Sequence, residues 1–569
     1  MTANTEYGIS NQVMRYIIPA LLSILVQCVP AHAQWFEDVT AQAGVSELNN
    51  SFGVAWSDVN GDGYSDVYLT NHWRTASLYV NQRDGTFINE EPLHDIAHGH
   101  IDAHGAAFGD YDNDGDSDLV VAVGGFTPGG GIPDTPYFDN IDGRLTIGDP
   151  QVTGLNYAYS GRSPIWFDEN NDGLLDLLMV SRPQAAGFFT GLLRQVSKGL
   201  FSEVSAQVGL DGIFAASAQL LPGPNAPQLP DIVFNTGQYY RWNGNQWQNV
   251  ASSVLGTGGT FADALQGDVN GDGLIDLYWV REGTRKQLVT EADNIKLAYK
   301  TTPDVPGVID IKSPGTLTIV RSLNLGAGAF RIGANNIRPV LASSDDHLIL
   351  DPTDPDVLGV PDTTLQTALR VFIWYTPQDT TWHLRIGTAN SGKLVDLEVH
   401  ASTAFQDMVI SDIDLNENLL TNRLYINDGN GGFMVQGGSG INNLLPTHHG
   451  AFGDFDNDMD LDLYIVNRTA VGNMQNQLFE NQGDGTFVEV ANAGGAPGAA
   501  IGVGDSVAVS DYDNDGFLDL FVTNGKSDII LLPYPGPNTL YHNIGNNNHW
   551  LEIDLQGTLS NRDGIGALV

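Results

Sequence analysis

Residues 110–118 read Asp-Tyr-Asp-Asn-Asp-Gly-Asp-Ser-Asp and run straight into the apolar stretch Leu119-Val120-Val121-Ala122-Val123. Counting Asp110 as position 1, acidic side chains fall at positions 1, 3, 5 and 9 around a turn at Gly115. Such a turn lets several oxygens converge on one point, and Ca2+ takes about six to eight oxygen ligands. The pattern Asp110, Asp112, Asp114, Asp118 recurs at Asp58, Asn60, Asp62, Asp66; at Asp168, Asn170, Asp172, Asp176; and at Asp268, Asn270, Asp272, Asp276. It appears again at Asp454, Asp456, Asp458, Asp462 and at Asp511, Asp513, Asp515, Asp519. One Asx-rich turn needs no metal. Six copies in phase with a strand pattern point instead to about six Ca2+ sites. An EF-hand does not fit, because it requires flanking helices and a glutamate at position 12, and Mg2+ prefers water-rich octahedra. In the 454 loop Met459 stands where the others have glycine, so this site is expected to be the weakest if the backbone there needs positive φ.

Outward from the loop, each repeat reads as a small-residue strand, the acidic loop, an apolar strand, a Leu-Tyr-x-Asn strand, an Asp-Gly turn and a Phe-x-Glu-Val strand. Asp66-Val67-Tyr68-Leu69-Thr70, Leu78-Tyr79-Val80-Asn81 and Arg83-Asp84-Gly85-Thr86-Phe87 show the order. A further unit at Ala218–Phe234 keeps its strand but carries Pro222, Pro224, Pro227 and Pro230 where the carboxylates should be. The unit with strand Asp276–Val280 breaks off and resumes at Asn422-Arg423-Leu424-Tyr425-Ile426-Asn427. Residues 285–410 therefore read as a β-rich domain inserted in a surface loop, with a hairpin of Val371–Tyr375 and Trp382–Ile386. Asp412-Ile413-Asp414-Leu415-Asn416 lacks the glycine and final aspartate of a calcium loop. The last unit lacks its fourth strand, and Phe36-Glu37-Asp38-Val39 is an orphan copy of it. Circular closure makes an all-β, seven-bladed β-propeller with calcium-binding loops and an inserted small β-rich domain.

The repeated D-x-[DN]-x-D-G-x-x-D, with Leu-Tyr-x-Asn and Asp-Gly-Thr-Phe, resembles the FG-GAP or VCBS repeat of integrin alpha-like propellers. The tail Asn548-His549-Trp550-Leu551-Glu552-Ile553-Asp554-Leu555, followed by Ser560 to Ala567, resembles the opening of the ASPIC/UnbV domain of cartilage acidic protein-like chains. The resemblance implies a secreted or cell-surface calcium-binding propeller whose ions lie in hairpin loops, position 7 giving a backbone carbonyl. The domain reading is 1–33 signal peptide, 34–284 propeller, 285–410 insert, 411–545 propeller and 546–569 an incomplete ASPIC/UnbV-like start.

Lys plus Arg number 25 against 68 Asp plus Glu, a net charge of -43. Such a surface gains nothing from counterion release on nucleic acid or on an anionic membrane. Arg15, the apolar Tyr16–Val29 and Ala31-His32-Ala33 have the layout of a secretory leader cleaved after Ala33, shorter than the ~20 residues of a spanning helix. An uncleaved N-terminal anchor is the other reading. The single cysteine, Cys28, lies inside that leader, so the mature chain would hold no disulfide. The expected location is secreted, periplasmic or cell-surface, with no membrane-spanning segment after leader removal.

His94, His98, His100 and His104, with Asp102, crowd one connection, and His448-His449 occupy the matching place before the sixth loop. Imidazoles with a carboxylate suit Zn, Fe or Cu. The alternative function is thus a secreted metalloenzyme with a histidine-lined site at the channel mouth. No nucleophile elbow, phosphate loop or HExxH accompanies it. The favoured reading is a binding or scaffold module for an extracellular protein or glycan. Trp374, Tyr375 and Trp382 are the candidates for a glycan platform, although aromatic pairs across a hairpin also serve as packing.

Overall fold

The structure, a computed structural model, describes residues 34–565 except 73, 97–101, 125–135, 156–160, 183–189, 224–228, 256–260, 282–286, 291, 322–328, 340–346, 390–393, 414–420, 442–446, 470–471, 500–501, 527–533, 552, 554, 558–560 and 563–564. The leader, His98, His100, most of the glycine-rich 124–133 excursion and the end of the 412–416 loop lie outside the described residues.

The chain is all-β and organised in antiparallel four-stranded meanders. The first sheet is Ser51–Ser57, Asp66–Asn71, Ser77–Asn81 and Phe87–Asn89. The second is Ala103–Gly109, Asp118–Val123, Tyr137–Ile141 and Arg144–Ile147, and the third Gly161–Phe167, Asp176–Ser181, Gly191–Ser197 and Leu200–Glu203. The fourth, formed by Ala218–Leu221, Asp231–Phe234, Tyr239–Trp242 and Trp247–Asn249, is the one without an acidic loop. In the fifth sheet Asp263–Gly267 and Asp276–Val280 are completed by Arg423–Asn427 and Phe433–Gln436, with Leu277 opposite Tyr425. Thr447–Gly453, Asp462–Thr469, Gln477–Asn481 and Phe487–Val490 make the sixth. The seventh holds Gly504–Ser510, Asp519–Lys526 and Thr539–Asn543, and its outer edge is the N-terminal strand Phe36–Asp38, with Phe36 opposite Asn543 and Asp38 opposite Tyr541.

Apolar clusters lie between successive sheets because each central strand is buried on both faces. Val120, Met179 and Leu193 pack between the second and third, and Leu178, Val180, Ile232 and Phe234 between the third and fourth. Phe36 joins Tyr464, Leu520 and Tyr541 between the sixth and seventh. Val67, Leu69 and Tyr79 of the first sheet meet Phe521 and Leu540 of the seventh, so the succession returns to its start. Inner strands carry bulges at matching places, between Ser51 and Val54, Ala103 and Ala106, Thr447 and His449, and Gly504 and Val507.

Between Val280 and Arg423 the chain builds two five-stranded sheets of its own. Ile295, Leu297, Val399 and Ile319 of one pack against Ile309, Ile373, Trp382 and Leu384 of the other. The expected hairpin is present, with Tyr375 opposite Trp382. Its aromatics form no platform: Trp382 is fully buried and donates Nε1–H to Gly315 O at 3.0 Å, while Trp374 stacks on His383 beneath Arg385. No helix among the described residues is long and apolar enough to cross a membrane.

Candidate metal-binding loops

The acidic loops repeat one hydrogen-bond pattern. In the first, Asp58 Oδ1 accepts from Asp62 N–H at 2.9 Å and Oδ2 from Gly63 N–H at 2.7 Å. Asp110, Asp168, Asp268, Asp454 and Asp511 each accept the same two bonds from positions 5 and 6. Position 9 ties the loop to the sheet: Asp66 accepts from Val59 N–H at 3.0 Å and from Asn81 N–H, on the third strand, at 2.8 Å. Asp118, Asp176, Asp276, Asp462 and Asp519 do likewise with Tyr111 and Asn140, Glu169 and Gln195, Val269 and Asn427, Phe455 and Asn481, and Tyr512 and Asn543.

Positions 4 and 6 both take positive φ. Gly63, Gly115, Gly173, Gly273 and Gly516 fill position 6, and Met459 adopts the same conformation with φ 77. At position 4 stand Gly61 and Gly271 or Asn113, Asn171, Asn457 and Asn514, the residue types that tolerate this region. Three of those asparagines also reach the next loop: Asn113 donates to Gly173 O at 3.2 Å, Asn457 to Gly516 O at 2.9 Å, and Asn514 to Gly63 O at 2.9 Å. The third-strand amide works in the opposite direction. Asn81 donates to Tyr512 O, Asn140 to Val59 O, Gln195 to Tyr111 O, Asn481 to Val269 O and Asn543 to Phe455 O, all at 2.7–2.9 Å.

Oxygens from Asp110, Asp112 and Asp118, from Asp454, Asp456 and Asp462, and from Asp511, Asp513 and Asp515 gather within 4.8 Å of one another. In the loops of the first, third and fifth sheets position 3 is Asn60, Asn170 or Asn270, whose Oδ1 accepts the position-5 N–H. Crowding shows in the proton affinities. Burial raises Asp66 and Asp519 to about 7, Asp176 and Asp462 to about 8, Asp118 to about 9 and Asp276 to about 6, opposed by bonds from the backbone and, for Asp519, first by the bond to His542. A divalent cation would reverse that logic by favouring the ionised forms. The donor set of carboxylate and amide oxygens, crowded on a positive-φ turn, fits calcium, and in the seventh sheet the imidazole of His542 lies within the same cluster.

The residue just before the third-strand amide was missed in the sequence, although its place in Leu-Tyr-x-Asn marks it. It lies opposite the position-9 aspartate. Asp139 raises the proton affinity of Asp112 and Asp118 and Glu480 that of Asp456, after burial in each case. His542 lies 3.3 Å from Asp519 and 3.4 Å from Asp513, and the Asp519 bond lifts it to about 9. In the fourth sheet the equivalent residue, Arg241, donates to buried Asp231 at 2.7 Å, and Tyr239 Oη adds a bond at 2.9 Å. The tail crosses this side of the molecule without forming a strand among its described residues. Asn548 donates to Asp456 O at 2.8 Å, Trp550 covers Gly516, and Arg562 N–H donates to Asn113 Oδ1 at 3.1 Å.

Among the described residues, His94 does not join His104. His94 is buried and accepts Leu145 N–H on Nδ1 at 3.0 Å. His449 Nε2 faces Asp263 at 3.1 Å and His448 Nε2 faces Asp505 at 3.4 Å. His104 meets Asp102 together with His72, which sequence proximity did not single out.

Residues 58–121 and 454–522 match the FG-GAP-like repeat family. Cartilage acidic protein 1 of Homo sapiens and that of Mus musculus are each 31% identical over 83 residues, 15% of this chain and 13% of theirs. The matched stretch is thus a small part of either relative. Among solved structures, the V. cholerae biofilm matrix protein Bap1 aligns over 91% of this chain and 92% of its own at 12% identity and TM-score 0.35. An Aleuria aurantia lectin aligns over 79% and 96% at 9% identity and TM-score 0.22. Likenesses at those scores carry no argument. The chain carries FG-GAP-like repeats and, over the stretch matched, is a distant relative of cartilage acidic protein 1.

Proposed function

We propose that this chain is a secreted, periplasmic or cell-surface calcium-binding β-propeller of seven blades that serves as a protein-binding scaffold. The observation that carries the reading is the sixfold repetition of one loop geometry, in which positions 1 and 9 brace the turn and present oxygens toward positions 3 and 5. About six Ca2+ ions would neutralise these clusters and stiffen one rim. Residues 34–284 and 411–545 then form the ring, 285–410 project from the fifth blade as a recognition surface, and 546–569 begin a further domain. The glycan arm loses the residues that motivated it, because Trp382 is inside the insert's core and Trp374 is buried beneath Arg385. Protein recognition is the arm retained. The similarity to cartilage acidic protein 1 and the FG-GAP-like repeats support an extracellular setting.

Elemental analysis of the mature chain before and after mild chelation, with thermal melting on the same samples, tests the proposal. About six calcium per chain and a large loss of stability on chelation are expected. Asp114→Ala should lower the melting temperature in calcium and change little in chelator. Equal destabilisation in both conditions, or a chain that retains no calcium, would overturn the assignment.

A further inference from the structure

Every acidic loop leaves the end of an inner strand. A different cluster sits at the beginning of one, where Ala103–Gly109 of the second sheet passes the end of Asp66–Asn71 of the first. Asp102 Oδ1 lies 2.9 Å from His104 Nε2 and also contacts His72 Nε2. The three side chains are only 8%, 13% and 9% exposed, and one ligand atom from each lies within 4.8 Å of the others. Phe52 walls the group, its ring 4.7 Å from that of His72 and 5.2 Å from that of His104.

Two details separate this cluster from an ordinary buried network. His104 Nε2 lies 2.9 Å from the carboxylate but off the alignment of a regular hydrogen bond. Asn50 Oδ1 is buried without a partner, while its Nδ2 lies 3.5 Å from His72 Nδ1. Turning that amide over gives Asn50 an acceptor opposite a protonated Nδ1 and leaves His72 Nε2 as the lone-pair nitrogen. An outer-shell acceptor on the far ring nitrogen is how metal-binding histidines are oriented. Glycine at 124 leaves room for the group: a Cβ there would collide with Asp102 Oδ2, and the Arg162 guanidinium borders the same space. Two nitrogens and one carboxylate oxygen are a borderline donor set, suited to zinc and unsuited to calcium, which takes oxygen alone.

We propose that His72, Asp102 and His104 form a mononuclear zinc-class site with a fourth position open to water or a ligand. The site shares no residue with the acidic loops, so it stands or falls apart from the calcium reading. Co2+ added to the full mature chain in excess Ca2+ should bind one per chain, with the visible absorption of four-coordinate cobalt, and Zn2+ should bleach it. His72→Gln and His104→Gln should each weaken binding by ~10-fold or more at unchanged calcium content. No stoichiometric Co2+ or Zn2+ after gel filtration, or undiminished binding in both variants, would overturn the site. Should either variant fail to fold, X-ray absorption of the zinc-loaded wild type decides: a shell with two nitrogens supports the proposal, and an all-oxygen shell sinks it.

Discussion

Met459 offers a direct test of the loop geometry, because it is a methionine in a backbone conformation that the other five loops assign to glycine. Its φ of 77 lies beside the 81 of Gly273. A left-handed conformation costs an L-residue ~1–2 kcal/mol. Glycine in turn gives up ~0.5–1 kcal/mol more backbone freedom on folding. The side chain of Met459 is 92% exposed, so its removal forfeits little packing. Met459→Gly should therefore stabilise the chain by roughly 0.5–1 kcal/mol, the difference between those two effects. The reciprocal change, Gly273→Met, should destabilise by the same amount without a clash, because a Cβ there meets nothing within 4 Å. Urea unfolding in saturating calcium, with calcium titration of each variant, reads both effects. The pair must move in opposite directions. If both are neutral, or if Met459→Gly weakens calcium binding, positive φ is not what sets position 6.

The raised position-9 aspartates give a pH dependence. Their folded values of about 6 to 9 exceed the ordinary carboxylate value, so the folded chain without calcium binds more protons than the unfolded one. Stability in chelator should therefore fall as pH rises from about 4 to 9, and saturating calcium should flatten the slope; a chelated chain that melts higher at pH 8 than at pH 5 contradicts this. Arg241→Met leaves the buried carboxylate of Asp231 without its ion pair and should cost ~3 kcal/mol or more, measured by urea unfolding, with no dependence on calcium because no acidic loop is involved. Removing residues 35–39 takes away the outer strand of the seventh sheet and Phe36 from the core between sheets six and seven, so thermal melting should drop for the whole ring; unchanged melting would refute closure by the N-terminus.

Much of this was legible because the repeats are written in short-range patterns. The 1, 3, 5, 9 spacing sets which carboxylates share a turn, and the orphan Phe36–Asp38 needed only its missing partner strand. What the sequence hid was contact between units. The asparagine of Leu-Tyr-x-Asn was legible only as part of its strand. In the structure it fastens its own strand to the preceding loop, and from Asn81 that link spans 431 residues to Tyr512. Position 4 was silent for a similar reason, since asparagine and glycine share only a tolerance for positive φ. Of the histidines, sequence proximity could not reveal His72, which reaches Asp102 across 30 residues from the neighbouring sheet. The aromatic hairpin of the insert gave no sign of which face would be covered until the second sheet was in place.

The unit that lost its acidic loop explains best why the others keep theirs. Asp231 occupies the place of the position-9 aspartates, buried at the start of a central strand, and burial pushes its proton affinity up as it does theirs. There the sheet supplies a guanidinium, Arg241, from the position directly opposite. Elsewhere that opposite residue is Val80, Asp139, Arg194, Ile426, Glu480 or His542, and of the two cations Arg194 pairs with Glu169 while His542 reaches the aspartate itself. In the loops of the second and sixth sheets the residue is acidic, which makes the local charge worse without a metal and better with one. A buried carboxylate held beside more carboxylates is costly unless positive charge arrives from outside the chain. The loop with Asp139 should therefore bind calcium most tightly per site, and in the loop of the sixth sheet the added carboxylate of Glu480 works against the strain that Met459 imposes.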